Sequence, residues 1–223
     1  MKRFAWRVMG VGALAVAGCG DDGDLFGDGG GGAATTSASS NAATTSTSTS
    51  ASGTGSSSSS SGSGTDDRID PIELGRSWTY DVEEIGTFAY CPSGSHTGET
   101  IAQVEKNGKP AFEVTSLCQN LPSSLYAVEG DVVFVDYLDT WVLALDAPVE
   151  EGHTWSNGAS TFTWHDEGTV TVPAGTFDDC WRATQNVAYE AYTIFCRGVG
   201  PVHWRSVDLA GNGFDAVLTA KNF

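Results

Sequence analysis

From Trp78 onward, large apolar residues alternate with polar ones in short runs, and turn residues separate the runs. Trp78-Thr-Tyr-Asp-Val82 is the first of them. Period-two alternation sends one set of side chains to a core and the other to solvent, which is the mark of a half-buried strand. Residues 101–105 and 111–117 flank Lys106-Asn107-Gly108-Lys109. Asn-Gly is the strongest short hairpin signal, because a type I′ turn needs positive φ at both central positions. Residues 125–128 and 132–136 flank Glu129-Gly130-Asp131, a second hairpin. Runs at 141–145, 161–164, 169–172, 180–187, 192–196, 202–207 and 214–220 complete the series. No segment repeats apolar residues at helical spacing. The pattern predicts an all-β domain: an antiparallel curved sheet, barrel or sandwich of about ten strands.

An internal echo runs through the pattern. Pro71-Ile-Glu-Leu-Gly75-Arg-Ser-Trp78 recurs as Pro148-Val-Glu-Glu-Gly152-His-Thr-Trp155. Proline fixes φ, glycine permits a tight reversal, and the tryptophan then leads a strand as an apolar anchor. The spacing divides residues 68–223 into nearly equal halves, which predicts a duplication or two similar corners of one sheet.

Composition changes abruptly upstream. Between Gly20 and Asp67 the chain is almost wholly Gly, Ser, Thr, Ala and Asp, with Leu25 and Phe26 the large apolar residues. Such a segment cannot offset the entropy of ordering itself, so residues 19–67 read as a disordered linker. A Gly/Ser coil of this length reaches roughly 35–40 Å on average. Asp21, Asp22, Asp24 and Asp28 lack the closing bidentate glutamate of a calcium loop and read as solvating charges.

The first residues carry a different signal. Lys2, Arg3 and Arg7 precede an apolar run from Val8 to Ala17, which ends Val16-Ala17-Gly18-Cys19. A charged start, a short apolar run and small residues before a cut point are the pattern of a secretory signal. The run is shorter than the roughly 20 residues a spanning helix needs. With cysteine directly after the small residues, residues 1–18 resemble a bacterial lipoprotein signal peptide. That resemblance implies cleavage before Cys19 and acylation of its sulfur and its new amino group. Two or three acyl chains satisfy the condition for stable anchoring without a spanning helix. In such lipoproteins a non-acidic residue after the cysteine, here Gly20, implies the outer membrane, and a following acidic cluster such as Asp21-Asp22 implies surface exposure.

Loss of the signal also removes three cations, leaving the chain more acidic than its formal charge of −17. Phosphate binding needs clustered cations, so nucleic acid is excluded as a partner. Apart from Cys19 the cysteines are Cys91, Cys118, Cys180 and Cys196. An even number in an exported domain predicts disulfides, with three connectivities open. Chain order along a meander favours Cys91–Cys118 and Cys180–Cys196. Zinc is disfavoured by the absence of close paired spacing.

Candidate chemistry is sparse. His165-Asp166-Glu167 is the histidine cluster with carboxylate neighbours; two ligands do not make a metal site, and a solvated turn after Trp164 accounts for it. No nucleophile elbow occurs in residues 68–223. The chain therefore reads as neither an enzyme nor a cofactor or metal protein. Six tryptophans lie in the folded part; most should be core. Trp141, Trp164 and Trp204 stand beside polar loop residues and are the candidates for a ligand groove.

Thr169-Val-Thr-Val-Pro-Ala-Gly-Thr-Phe177-Asp-Asp-Cys180 and Gly198-Val-Gly-Pro-Val202 resemble segments of bacterial envelope lipoproteins whose curved antiparallel sheets are similar to those of the carriers LolA and LolB. Physically, Pro173-Ala-Gly175 makes a turn, Phe177 an apolar plug beside it, and Gly198 and Gly200 a bulge or close backbone approach. The reading that results is a lipid-anchored envelope protein with a non-catalytic binding or structural β domain, its partner an envelope protein, glycan or lipid. A carrier holding a lipid-like ligand in a concave sheet, and a surface hydrolase, are the alternatives.

Overall fold

The computed structural model describes residues 66–87, 91–118, 121–158 and 160–223. Residues 1–65, with the signal segment, Cys19 and all of the linker before Asp66, lie outside the described residues. Twelve strands form one antiparallel sheet: β1 (Ser77–Ile85), β2 (Gly94–Lys106), β3 (Lys109–Val114), β4 (Ser124–Glu129), β5 (Val132–Tyr137), β6 (Thr140–Leu145), β7 (Thr154–Ser156), β8 (Thr161–Val172), β9 (Gly175–Gln185), β10 (Glu190–Cys196), β11 (Gly200–Val207) and β12 (Gly213–Lys221). Their order is β6-β5-β4-β3-β2-β1-β12-β11-β10-β9-β8-β7. Two six-stranded meanders therefore meet at the β1–β12 pair, and the sheet rolls into a nearly closed barrel.

The runs read from the sequence fall on every strand but β7, and the differences have identifiable reasons. The predicted runs at 161–164 and 169–172 are one strand, β8, kept continuous through bulges beside Gly168. Strand β7 is three residues long, and β2 begins at Gly94, well before the apolar alternation starts. The inward positions of that early stretch are His96, Gly98 and Thr100, which carry no hydrophobic signal although all are buried.

Turn chemistry follows the sequence. Asn107 and Gly108 have φ of 52° and 73°, the two positive values a type I′ hairpin needs. Gly130 opens the β4–β5 turn with φ of 67°. The two echoed corners share their glycine geometry and their bonds to the neighbouring strand, and differ at the proline, where Ala147–Pro148 is cis and Asp70–Pro71 is not. Gly75 and Gly152 have φ of 82° and 80°. Gly75 N–H donates to Thr100 O and Thr100 N–H to Arg76 O, both at 2.9 Å; Gly152 N–H donates to Trp164 O and Trp164 N–H to His153 O, again at 2.9 Å. Each corner leads directly into the first strand of a meander, so the echo marks the start of two equivalent halves.

Two apolar clusters fill the interior. One gathers Trp78, Tyr80, Val82, Trp204, Phe214 and Leu218 around all four domain cysteines. The other packs Tyr126, Val133 and Leu145 of the first half against Trp155, Phe162, Trp164 and Phe195 of the second. Cys91 is bonded to Cys118 and Cys180 to Cys196, with Cα separations of 4.7 and 4.0 Å. Each bridge is worth about 3 kcal/mol in the loop-entropy account.

Strands β6 and β7 are the two edges, and side chains close the seam between them. The indole N–H of Trp164 donates to Asp146 O at 2.9 Å, and that of Trp155 to Ala144 O at 3.2 Å. His153 Nε2 lies 3.1 Å from Asp146 Oδ2. Farther along β6, Trp141 Nε1–H donates to Lys106 O at 3.3 Å, at the tip of the β2–β3 hairpin. Carbonyls on and beside β6 and at the β2–β3 tip are thus satisfied by indoles. Replacing Trp164 with Phe keeps the ring and deletes the donor, leaving a carbonyl unpaired at a cost of about 1–3 kcal/mol. Thermal melting should fall by several degrees; an unchanged midpoint would show that the seam does not depend on this bond.

Candidate functional site

The tryptophans proposed for a groove do not meet. Trp164 is fully buried and stacks within the second cluster, 4.9 Å from Trp155 and 5.9 Å from Phe195 between ring centroids. Trp204 is buried in the first cluster, edge-on to Phe214 at 5.3 Å. Trp141 is half-buried on β6. Polar neighbours in sequence misled here because strand alternation turns adjacent residues to opposite faces. Two of the three are core, and the expected groove is not assembled.

His165 and Glu167 do not form a site either. His165 Nδ1 lies 3.2 Å from Glu151 Oε1, while Glu167 pairs with Arg182 at 3.0 Å. The segment is strand rather than the expected turn, with an irregularity between Asp166 and Gly168, and each of the two side chains has its own partner. Among the described residues no group of three or more His, Cys, Asp or Glu is arranged to hold a metal ion.

Polar chemistry instead concentrates on the outer face of β8–β12. Register places Tyr192 opposite Arg205, Arg205 opposite Asp215, and Asp215 opposite Glu83, a row across four strands. Arg205 binds Asp215 at 2.6 Å and Glu190 at 2.9 Å. His203 Nε2 lies 2.7 Å from Asp215 Oδ1, and its ring meets that of Tyr192 edge-on at 5.5 Å. The Arg182 guanidinium stands 5.8 Å from the other side of the Tyr192 ring. Partial burial, then Asp215 and Glu190, push the Tyr192 phenol above its ordinary value, so it stays a hydrogen-bond donor. The row is a rigid, half-exposed set of donors and acceptors around one aromatic ring. Strand alternation in residues 192–215 carries the signal that would have found it.

Elsewhere the cations are committed. Arg68, Arg76, Lys106, Lys109 and Arg197 each pair with carboxylates, and Lys221 lies over the Phe223 ring at 4.3 Å. With Arg182 and Arg205, these are all the lysines and arginines among the described residues.

A second cluster forms where the chain enters the domain. Ile69, Asp70, Pro71 and Ile72 are buried without belonging to a strand. Ile69 N–H donates to Asp131 Oδ1 at 2.9 Å, and Gly198 N–H to Arg68 O at 2.9 Å. Asp66 is held down to about 2 by its bond to the Arg68 guanidinium and, despite some burial, by Arg76. The close approach expected of Gly198 and Gly200 is made to this lead-in segment. A Cβ on Gly198 would lie 2.5 Å from Asp66 O, and one on Gly200 3.1 Å from Asp70 Oδ1. Complete burial raises the Asp70 carboxyl to about 7, with Arg68 opposing and Asp66 adding to the shift. No sequence signal marked Asp70, since burial of a carboxyl depends on what folds over it.

No family model matches the chain, and no curated protein matches it in sequence. Two solved structures are similar in fold. A "putative lipoprotein" from Parabacteroides distasonis superposes with a TM-score of 0.48 at 11% identity, covering 70% of this chain and 99% of that one. A "putative exported protein with YmcC-like fold" from Bacteroides fragilis gives 0.42 at 11% identity, covering 70% of this chain and 100% of that one. Superposition this loose says nothing about activity.

Asp70 sets a pH dependence whose sign is fixed. Its folded value lies above the ordinary carboxyl value of 3.8, so its contribution to stability is complete below about 3.8 and is lost as pH rises through about 7. Melting at a series of pH values should show wild type losing a few kcal/mol across that window relative to Asp70→Asn. Parallel curves for the two proteins would mean that the carboxyl is not held in its protonated form.

Proposed function

We propose that this is a lipid-anchored protein of the bacterial cell envelope, whose barrel domain is a non-catalytic binding or structural module carried on a Ser/Thr/Gly-rich stalk. The observation that carries the reading is the pairing of the cysteines. Cys91, Cys118, Cys180 and Cys196 are consumed in two disulfides, and Cys19 has no thiol left in its own chain. Two native disulfides suit an oxidising compartment. An odd cysteine behind small residues at the end of a charged and apolar leader suits acylation. Outer-membrane placement and outward display rest on Gly20 and the following aspartates.

The domain's own surface suits recognition better than turnover. The ring nitrogens of His153, His165 and His203 face carboxylates, and His96 Nε2 faces the Pro92 carbonyl. The row around Tyr192 and Arg205 is the face we favour for a polar partner such as a glycan or protein loop. A lipid carrier with a LolA- or LolB-like concave sheet is the weaker alternative, because the inner face is occupied by the chain's own tryptophans and phenylalanines.

Cys19→Ser should move the protein from the membrane to the soluble fraction of a bacterial host and abolish incorporation of labelled palmitate. Membrane association unchanged by the substitution would overturn the anchoring. Intact mass after thiol alkylation should show no modified domain cysteine until a reductant is added.

A further inference from the structure

We infer that Asp70–Pro71 is a self-cleaving peptide bond that severs the barrel from the chain preceding it. The inference deepens the reading of an anchored domain, since the cut would leave that domain joined to its stalk through noncovalent contacts alone. An aspartyl–prolyl amide is unusually labile because the side-chain carboxyl can attack its own main-chain carbonyl carbon, closing a five-membered ring. The proline nitrogen is a comparatively basic leaving group.

Three observations place this chemistry here. The bond stands at the junction, directly before the corner that opens the first meander, and both disulfides lie downstream of it. Asp70 and Pro71 are buried, beneath Gly200 and beside the Trp78 indole. The Asp70 carbonyl accepts a hydrogen bond from Ile72 N–H at 2.9 Å across Pro71, a γ-turn that polarises it toward attack. Around the Asp70 carboxyl stand Asp66 and Arg68 of its own segment, Tyr80 of β1 and Tyr126 of β4.

The step balances with water as its one co-reactant. An Asp70 Oδ forms a bond to the Asp70 carbonyl carbon, the bond from that carbon to Pro71 N breaks, and the carboxyl proton goes to the nitrogen. The products are a cyclic anhydride and a secondary amine. Water opens the anhydride to two carboxylic acids, one of them a new chain end at Asp70. Nothing is oxidised or reduced. The upstream piece is then held through noncovalent contacts such as Ile69 with Asp131 and Arg68 with Gly198. Because the proton comes from a carboxyl raised to about 7, cleavage should accelerate as pH falls through neutrality.

The full chain, purified in detergent, should be incubated at a series of pH values and followed by intact mass and amino-terminal sequencing. The expected result is a fragment beginning at Pro71, appearing about tenfold or more faster in the folded protein than in urea, because folding positions the carboxyl. Asp70→Ala should stop the reaction. Asp70→Glu and Pro71→Ala should slow it while leaving both disulfides and the melting transition in place. An intact chain throughout, equal rates in folded and urea-unfolded protein, or cleavage persisting in Asp70→Ala would overturn the inference. Cys19→Ser must cleave at the wild-type rate, so failure of the anchoring reading and failure of self-cleavage are told apart.

Discussion

A sheet of twelve strands leaves two rows of backbone groups without partners, and how those rows are satisfied governs the rest of this domain. Strands β6 and β7 do not pair. The indole N–H groups of Trp155 and Trp164 reach across to the carbonyls of Ala144 and Asp146 instead. An unpaired strand edge is a site for association with other chains, and covering it with side-chain donors removes that hazard. The same two rings form the centre of the second apolar cluster, so edge satisfaction and core burial come from the same side chains. Once the seam is shut, the inner face is enclosed, and groups that would be hydrated on an open sheet become buried. Asp70 and His96 are the clearest cases.

The two halves are built alike. Each half begins with a Pro-β-branched-Glu corner, runs through six strands, and returns the tip of its second hairpin toward its own sixth strand. Trp141 N–H reaches Lys106 O in the first half, and Ala174 N–H reaches Leu218 O in the second. The halves differ where function has room to act. The first corner carries Asp70 and is tied to the lead-in segment by Asp66, Arg68, Glu73 and Arg76. The second carries Ala147, and its His153 pairs with Asp146 at the seam.

Charge is distributed on the same principle. The domain is strongly acidic, and its few cations are spent in pairing: Arg197 joins Asp131 and Asp179 beside the lead-in segment, and Arg205 bridges Glu190 and Asp215 on the outer face. Exposed pairs of this kind add little stability each, so their consequence is placement. They hold the row around Tyr192 in one geometry and fasten the segment from Asp66 to Ile72 against the barrel.

The amino-acid sequence alone determined the elements whose cause is local. Alternation marked the strands, Asn107-Gly108 fixed a turn that needs two positive φ values, and the repeated corner announced two halves. What the sequence could not decide were the properties that depend on which surfaces meet. Trp164 and Trp204 read as groove residues until closure of the sheet buried them, and β2 was half hidden because its inward side chains are His96, Gly98 and Thr100. The Asp70 carboxyl looked like any turn residue beside a proline. Its environment is made by Gly200, Trp78, Tyr80 and Tyr126, residues brought to it by long-range folding, and only the tertiary structure could assign it one.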